Sequence, residues 1–141
     1  WDEEIIGTMS GGYDNCRFSS YWNSETTMTY PVILAKIPVK NPWEIFAYLP
    51  FGGWNECPNT LELMAVSKYW FEKYDAIPSV ITHDELEFLL PKPIDKEKAM
   101  EVATEQYGFC PDVIDQQEDD PTIGNLADVL WQSTVWYFWW D

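Results

Sequence analysis

The last nine residues, Ser133-Thr134-Val135-Trp136-Tyr137-Phe138-Trp139-Trp140-Asp141, constrain this chain more than any other stretch. Successive side chains of a strand point to opposite faces. Both faces here are bulky: Val135, Tyr137 and Trp139 on one, Trp136, Phe138 and Trp140 on the other. A strand that is apolar on both sides needs cover on both sides, which predicts a central place in a sheet. Each ring brings a large apolar area, so the rest of the domain has to be built around this strand.

A chain of 141 residues is long enough for one domain with its own core. Its 46% apolar content keeps it out of the disordered class despite a net charge of -16. Eight basic residues against 24 acidic ones repel nucleic-acid phosphates and anionic membranes, so neither is expected as a partner. The same balance suits a basic protein partner, a cationic ligand, or solubility alone. Cys16, Cys57 and Cys110 make an odd set without a C-x-x-C pair, which predicts reduced thiols and a cytoplasmic setting. The opening Trp1-Asp2-Glu3-Glu4 has no apolar core of a signal peptide, and a start on Trp fits a piece of a longer chain. No apolar run reaches the length of a membrane span.

Residues 1–30 read as an irregular N-terminal segment with a turn at Gly11-Gly12 and short strands at Ile5-Ile6 and Phe18 to Trp22. The glycine pair lacks the spacing of either phosphate-binding loop. Pro31 opens the β-branched run Val32 to Ile37, a predicted strand. Asn41-Pro42 starts a short helix over 43–49, and Asn59 or Thr60 caps a longer one reaching about Tyr74. Leu63, Val66, Trp70 and Tyr74 share its inner side. Strands over 77–82 and 86–90 flank a turn at His83-Asp84-Glu85, and Asp95 caps a helix over 96–107. Asp120-Pro121 opens the last helix, where Ile123, Leu126, Ala127, Leu130 and Trp131 form one apolar stripe. The expected architecture is a single α+β (or α/β) domain over 31–141: a mixed β-sheet covered by about four helices, with the C-terminal aromatic strand central.

Three blocks carry rare residue types: Gly53-Trp54-Asn55-Glu56-Cys57-Pro58, then Glu105-Gln106-Tyr107-Gly108-Phe109-Cys110-Pro111-Asp112, then Trp136 to Asp141. In this order and spacing they resemble the family known as domain of unknown function 4253, over roughly residues 32–141. The resemblance implies a bacterial, intracellular setting and a domain that ends its chain. It carries over no activity and no catalytic residue.

The candidate site is drawn from Trp54, Asn55, Glu56, Cys57, His83, Glu105, Cys110 and Asp112. Cys57 lies just ahead of a predicted helix N-terminus, where the macrodipole favours a thiolate, and the single histidine, His83, would be its base. The competing reading makes Cys57 a small buried residue and His83 an exposed turn residue. Cys110 follows a helix C-terminus, the wrong end for activation. Cys57, His83 and Cys110 match no closed zinc spacing, so no metal and no cofactor are assigned. Glu97, Glu101 and Glu105 recur every four residues, either as a solvated face or as acid-base carboxylates. The acidic stretch from Asp112 to Asp120 lacks the glycine and the ligand spacing of a calcium loop. Trp54-Asn55 can stack on and hydrogen-bond a ligand, or lock its own loop.

Two functional readings follow. One is an acidic interaction or immunity-like module that binds a basic protein partner, with association steered by charge. The other is a small-ligand-binding or hydrolase-like enzyme built on Trp54, Asn55, Cys57 and Glu105.

Overall fold

The computed structural model describes residues 3–141. Trp1 and Asp2, which bear on the leader reading, lie outside the described residues. The longest helix, α2 (Thr60–Tyr74), starts where Asn59 accepts the amides of Leu61 and Glu62, while Glu62 takes the Asn59 amide in return. This capping box fixes the first turn, and Asp75 in the left-handed region ends the last. Strands β3 (Ile77–Ile81), β4 (Glu85–Leu89) and β5 (Val135–Trp139) follow in space as one antiparallel sheet in the order β3-β4-β5. Helix α3 (Ala99–Phe109) packs on α5 (Ile123–Leu130) through small residues, with the one-turn helix α4 (Asp112–Asp115) between them in sequence. Ahead of these lie α1 (Glu3–Ile6), a two-residue hairpin of β1 (Trp22–Asn23) and β2 (Met28–Thr29), and a 3-10 turn over Pro42–Ala47. The chain is thus a single α+β domain.

The sheet is wholly antiparallel rather than mixed, and β5 lies at its edge; β4 is central. The double-sided bulk of β5 has a different cause from the one its sequence suggests. Leu86 pairs with Phe138 and Phe88 with Trp136, and these side chains, with Trp140, join the core beneath α2 and α3. On the opposite face Tyr137 donates to Glu85 (2.7 Å) and the Trp139 indole donates to Asp84 (3.0 Å). That second face is capped by the N-terminal segment, not by another layer of helices. Glu87, fully buried there, accepts from the Ser19 amide and hydroxyl and from the Ser20 amide at 2.9–3.2 Å.

Along the strand, Leu90 donates to the Thr134 carbonyl and Trp140 to the Asp84 carbonyl, so even-numbered residues of β5 bond across to β4. Odd-numbered ones turn their backbone to the free edge, where Asn15 takes the Val135 amide and donates to its carbonyl, and the Cys110 thiol donates to the Trp139 carbonyl. Blocking an edge with side chains and loop backbone is a general defence against strand-on-strand association.

The other differences have equally local reasons. Val32 to Leu34 form no strand and are exposed, because no neighbouring strand meets them; β-propensity needs a pleated surface to pack against. The short helix after Asn41 is a 3-10 turn, with Glu44 reaching back to the amides of Lys40 and Asn41. Residues Ile5-Ile6 belong to α1, not a strand, and only Trp22 of the expected Phe18 to Trp22 strand pairs. Helix α5 is capped by Thr122, which accepts the Asn125 amide, two residues beyond the expected Asp120 cap.

The segment before β1 is fastened a second time by Asp128, also buried, which accepts the amides of Ser10 and Gly11 and the indole of Trp131. Gly124 admits it: a Cβ there would meet the Thr8 backbone at 2.6 Å. Burial pushes the Asp128 carboxyl pKa up, but the Gly11 amide, the Trp131 indole, the Ser10 amide and Lys96 outweigh it and hold the pKa below the ordinary value. A depressed folded pKa means the contribution is complete above the ordinary carboxylate range and is lost as pH falls through the folded value. Asp128→Asn should therefore cost about 1–3 kcal/mol at neutral pH, flatten the acid limb of the stability profile, and speed proteolysis ahead of β1. Thermal melts across the acid range check it; an unchanged acid limb contradicts it. Trp70→Ala should cost about 3–5 kcal/mol, and Trp139→Ala, half-buried on the other face, distinctly less.

Candidate functional site

The loop Phe51 to Pro58 builds one wall of an open cleft. Gly52 and Gly53 have φ of 85° and 82°, and a Cβ on Gly52 would meet the Pro58 carbonyl at 2.0 Å, so only glycine closes this turn. The Gly53 amide donates to the carbonyls of Cys57 and Pro58, and the Cys57 amide to that of Trp54. Trp54 packs edge-on against Phe51 at 5.0 Å, and Asn55 adopts a left-handed φ of 44°. Its side-chain amide donates to the backbone oxygen of Asp141, whose own amide donates to Asp112 at 3.0 Å. Phe51 and Phe109 both pack edge-on against Trp140. The three sequence blocks are therefore in contact at one end of β5.

The cleft itself encloses about 690 Å³ and runs between this loop, α2 and the last turns of α3. Glu56, Glu62 and Glu105 line it with the rings of Tyr69, Trp70 and Phe109. Glu105 is held firmly: Tyr69 donates to one carboxyl oxygen (2.6 Å), the Trp70 indole donates to the other (3.2 Å), and Lys73 approaches within 3.8 Å. The row Glu97, Glu101 and Glu105 thus splits. The first two are exposed, and only Glu105 turns inward against α2.

Of the expected site residues, Asn55, Glu56, Cys57 and Glu105 line this cleft together. Trp54 stands behind the loop against the core. Cys110 is fully buried beneath β5, and Asp112 braces Asp141. His83 does not line the cleft; it is 91% exposed in the β3–β4 turn, with Nδ1 3.2 Å from Asp84. Glu105 is positioned by Trp70, which the sequence places among the core residues of α2, and by the exposed Tyr69, which it does not single out. A core tryptophan and a surface tyrosine on a helix carry no signal in sequence that they grip a carboxylate.

Burial decides the state of the thiols. Desolvation pushes Cys57 up to about 12 despite the Gly53 amide, and pushes Cys110 up to about 12 despite its bonds to the backbone of Trp139 and Val113. A helix N-terminus contributes only about 0.3–1 kcal/mol toward a thiolate, too little against removal of the charge from water. All three cysteines are free, and among the described residues no group of three His, Cys, Asp or Glu side chains is placed to hold a metal ion. No described helix is long and apolar enough to cross a membrane.

In the native protein near neutral pH, a thiol reagent should modify the exposed Cys16 readily and leave Cys57 and Cys110 untouched until the domain is unfolded. Mass analysis after brief alkylation checks this; rapid native labelling of Cys57 would contradict it. No curated protein and no solved structure matches the chain. One family model, described as "Domain of unknown function (DUF4253)", matches residues 33–141, and this coverage of most of the chain places the protein in that family.

Proposed function

We propose that this protein is a binding domain for a basic protein partner, with a cationic side chain of that partner entering the cleft between the Phe51 to Pro58 loop, α2 and α3. One observation carries the reading: three glutamates and three aromatic rings line a cleft that has no basic residue among its lining, on a chain of net charge -16. A Lys or Arg side chain is apolar along its stem and charged at its tip. Rings suit the stem, and carboxylates with ring faces suit the tip. Glu56 and Glu62 are exposed, and Glu105 is half-buried. Glu62 is engaged by the Asn59 amide and Glu105 by Tyr69 and Trp70, so both are held in place before any partner arrives.

Two features weigh against the catalytic alternative built on Trp54, Asn55, Cys57 and Glu105. The Cys57 thiol is pushed far from the range of an activated nucleophile, and the only histidine lies outside the cleft. Asn55 and Trp54 meanwhile have structural partners in Asp141 and Phe51.

Calorimetric titration with a short oligo-arginine peptide, beside an oligo-glutamate control, tests the reading. The basic peptide should bind, and raising salt from low to well above physiological strength should weaken it about tenfold or more. Glu56→Lys should weaken binding with an unchanged Tm, because its side chain is exposed. Salt-independent binding, or full affinity in Glu56→Lys, would sink the assignment.

A further inference from the structure

The run Val32 to Ile37 has the composition of a strand and belongs to none. Val32 is 69% exposed, Ile33 is 93% exposed and Leu34 fully so, and these large apolar side chains find no cover in their own chain. Their backbone is equally unengaged. Among the described residues no hydrogen bond reaches Val32 to Lys36, and Ile37 only accepts the Val39 amide. Single exposed apolar residues are ordinary on a protein surface, but a contiguous apolar run with open backbone marks a contact surface.

The sheet has a matching open edge. Strand β3 pairs with β4 alone, and no described strand meets its other side. The Thr82 amide donates to the Glu85 carbonyl and Val80 stands opposite Glu87, so both bond inward to β4. Ile81 between them turns its N–H and C=O outward. The far edge of the sheet, on β5, is partly covered by Asn15 and Cys110, whereas β3 has only the Ser79 hydroxyl, which donates to the Ile77 carbonyl. An open strand edge is a template for a further strand.

Position, charge and length say what fills it. The segment stands clear of its own β3, where the turn Pro42–Ala47 that follows it packs instead. Lys36 is the segment's only charged residue, and the exposed Asp75, just ahead of β3, has no partner for its carboxylate among the described residues. Antiparallel alignment brings Lys36 to the Asp75 end. Pro31 and Pro38 bound the segment, while Pro78 and the bulge between Pro78 and Val80 keep the open edge short. The two elements therefore match in length as well as in charge.

We propose that two copies of this chain form a twofold dimer by strand exchange, Val32 to Ile37 of each copy adding antiparallel to the outer edge of β3 in the other. Each copy offers one segment and one edge, so a reciprocal pair uses both and closes at two. None of these residues lines the acidic cleft, and the contact is independent of it.

Sedimentation of the whole chain from micromolar to millimolar concentration should show monomer passing to dimer. Two chains of net charge -16 repel each other, so added salt should strengthen this association, the opposite of its effect on a basic partner in the cleft. Hydrogen exchange at the two ends of that range should show the amides of Val32 to Ile37 and of Ile81 gaining protection in the dimer. Leu34→Lys should weaken dimerisation about tenfold or more and leave the folded monomer intact, because Leu34 is fully exposed in it. A monomer at every concentration overturns the proposal, and so does a dimer that lacks this protection. Protection that is independent of concentration, as pairing within one chain would give, or full dimerisation in Leu34→Lys, overturns it as well.

Discussion

Everything in this domain leans on the indole of Trp70. It stacks on Phe138 at 5.4 Å and meets Phe88, Phe109 and Trp136 edge-on at 5.0–5.5 Å, so one side chain joins α2 to α3, β4 and β5. Mixed stacked and edge-on contacts are the arrangement that the ring quadrupole favours, and each adds about 0.5–1.5 kcal/mol beyond area burial. The polar end of the same ring donates to Glu105 on α3. Trp70 is thus the centre of the core and part of the cleft wall at once, which makes the position of Glu105 a consequence of core packing and not of a mobile loop.

A second constraint acts from outside the core. Glu87 and Asp128 are buried carboxyl groups whose acceptors are filled almost entirely by backbone amides and a hydroxyl from residues 10–20, with one indole. Placing unpaired polar groups in a protein interior is costly, so each of these residues fixes a stretch of otherwise irregular chain in one place. The result is a sheet with two different covers: aromatic packing on one face, a hydrogen-bonded strap on the other. The strap lies almost wholly ahead of the stretch that matches the family, residues 33–141, yet it covers residues of the matched sheet.

The cleft and the free edge of β5 differ in chemistry. Carboxylates and ring faces line the cleft, whereas the strand's edge presents backbone groups that Asn15 and Cys110 partly cover. The second arrangement depends on the C-terminal strand being at the edge. A central β5 would have buried the Tyr137 backbone in a ladder, and the Asn55–Asp141–Asp112 chain that ties the loop to α4 would have had no place to form.

The sequence by itself determined the helices and strands that carry strong local signals. Asn59 with Glu62 set the start of α2, the apolar stripe from Ile123 to Leu130 set α5, and the short apolar runs flanking His83 set β3 and β4. It also determined which segments meet, since the three blocks around Trp54, Cys110 and Trp139 do converge. Two matters were decided only in three dimensions. The rank of β5 within the sheet depended on what covered its second face, and residues 10–20, which do so, have no period to announce them. The state of Cys57 depended on burial, which overrides the helix terminus that its neighbours in sequence promised. Propensity and periodicity are properties of a few consecutive residues, whereas desolvation and edge pairing depend on partners 68 to 120 positions away, as in Ser19 with Glu87 and Asn15 with Val135.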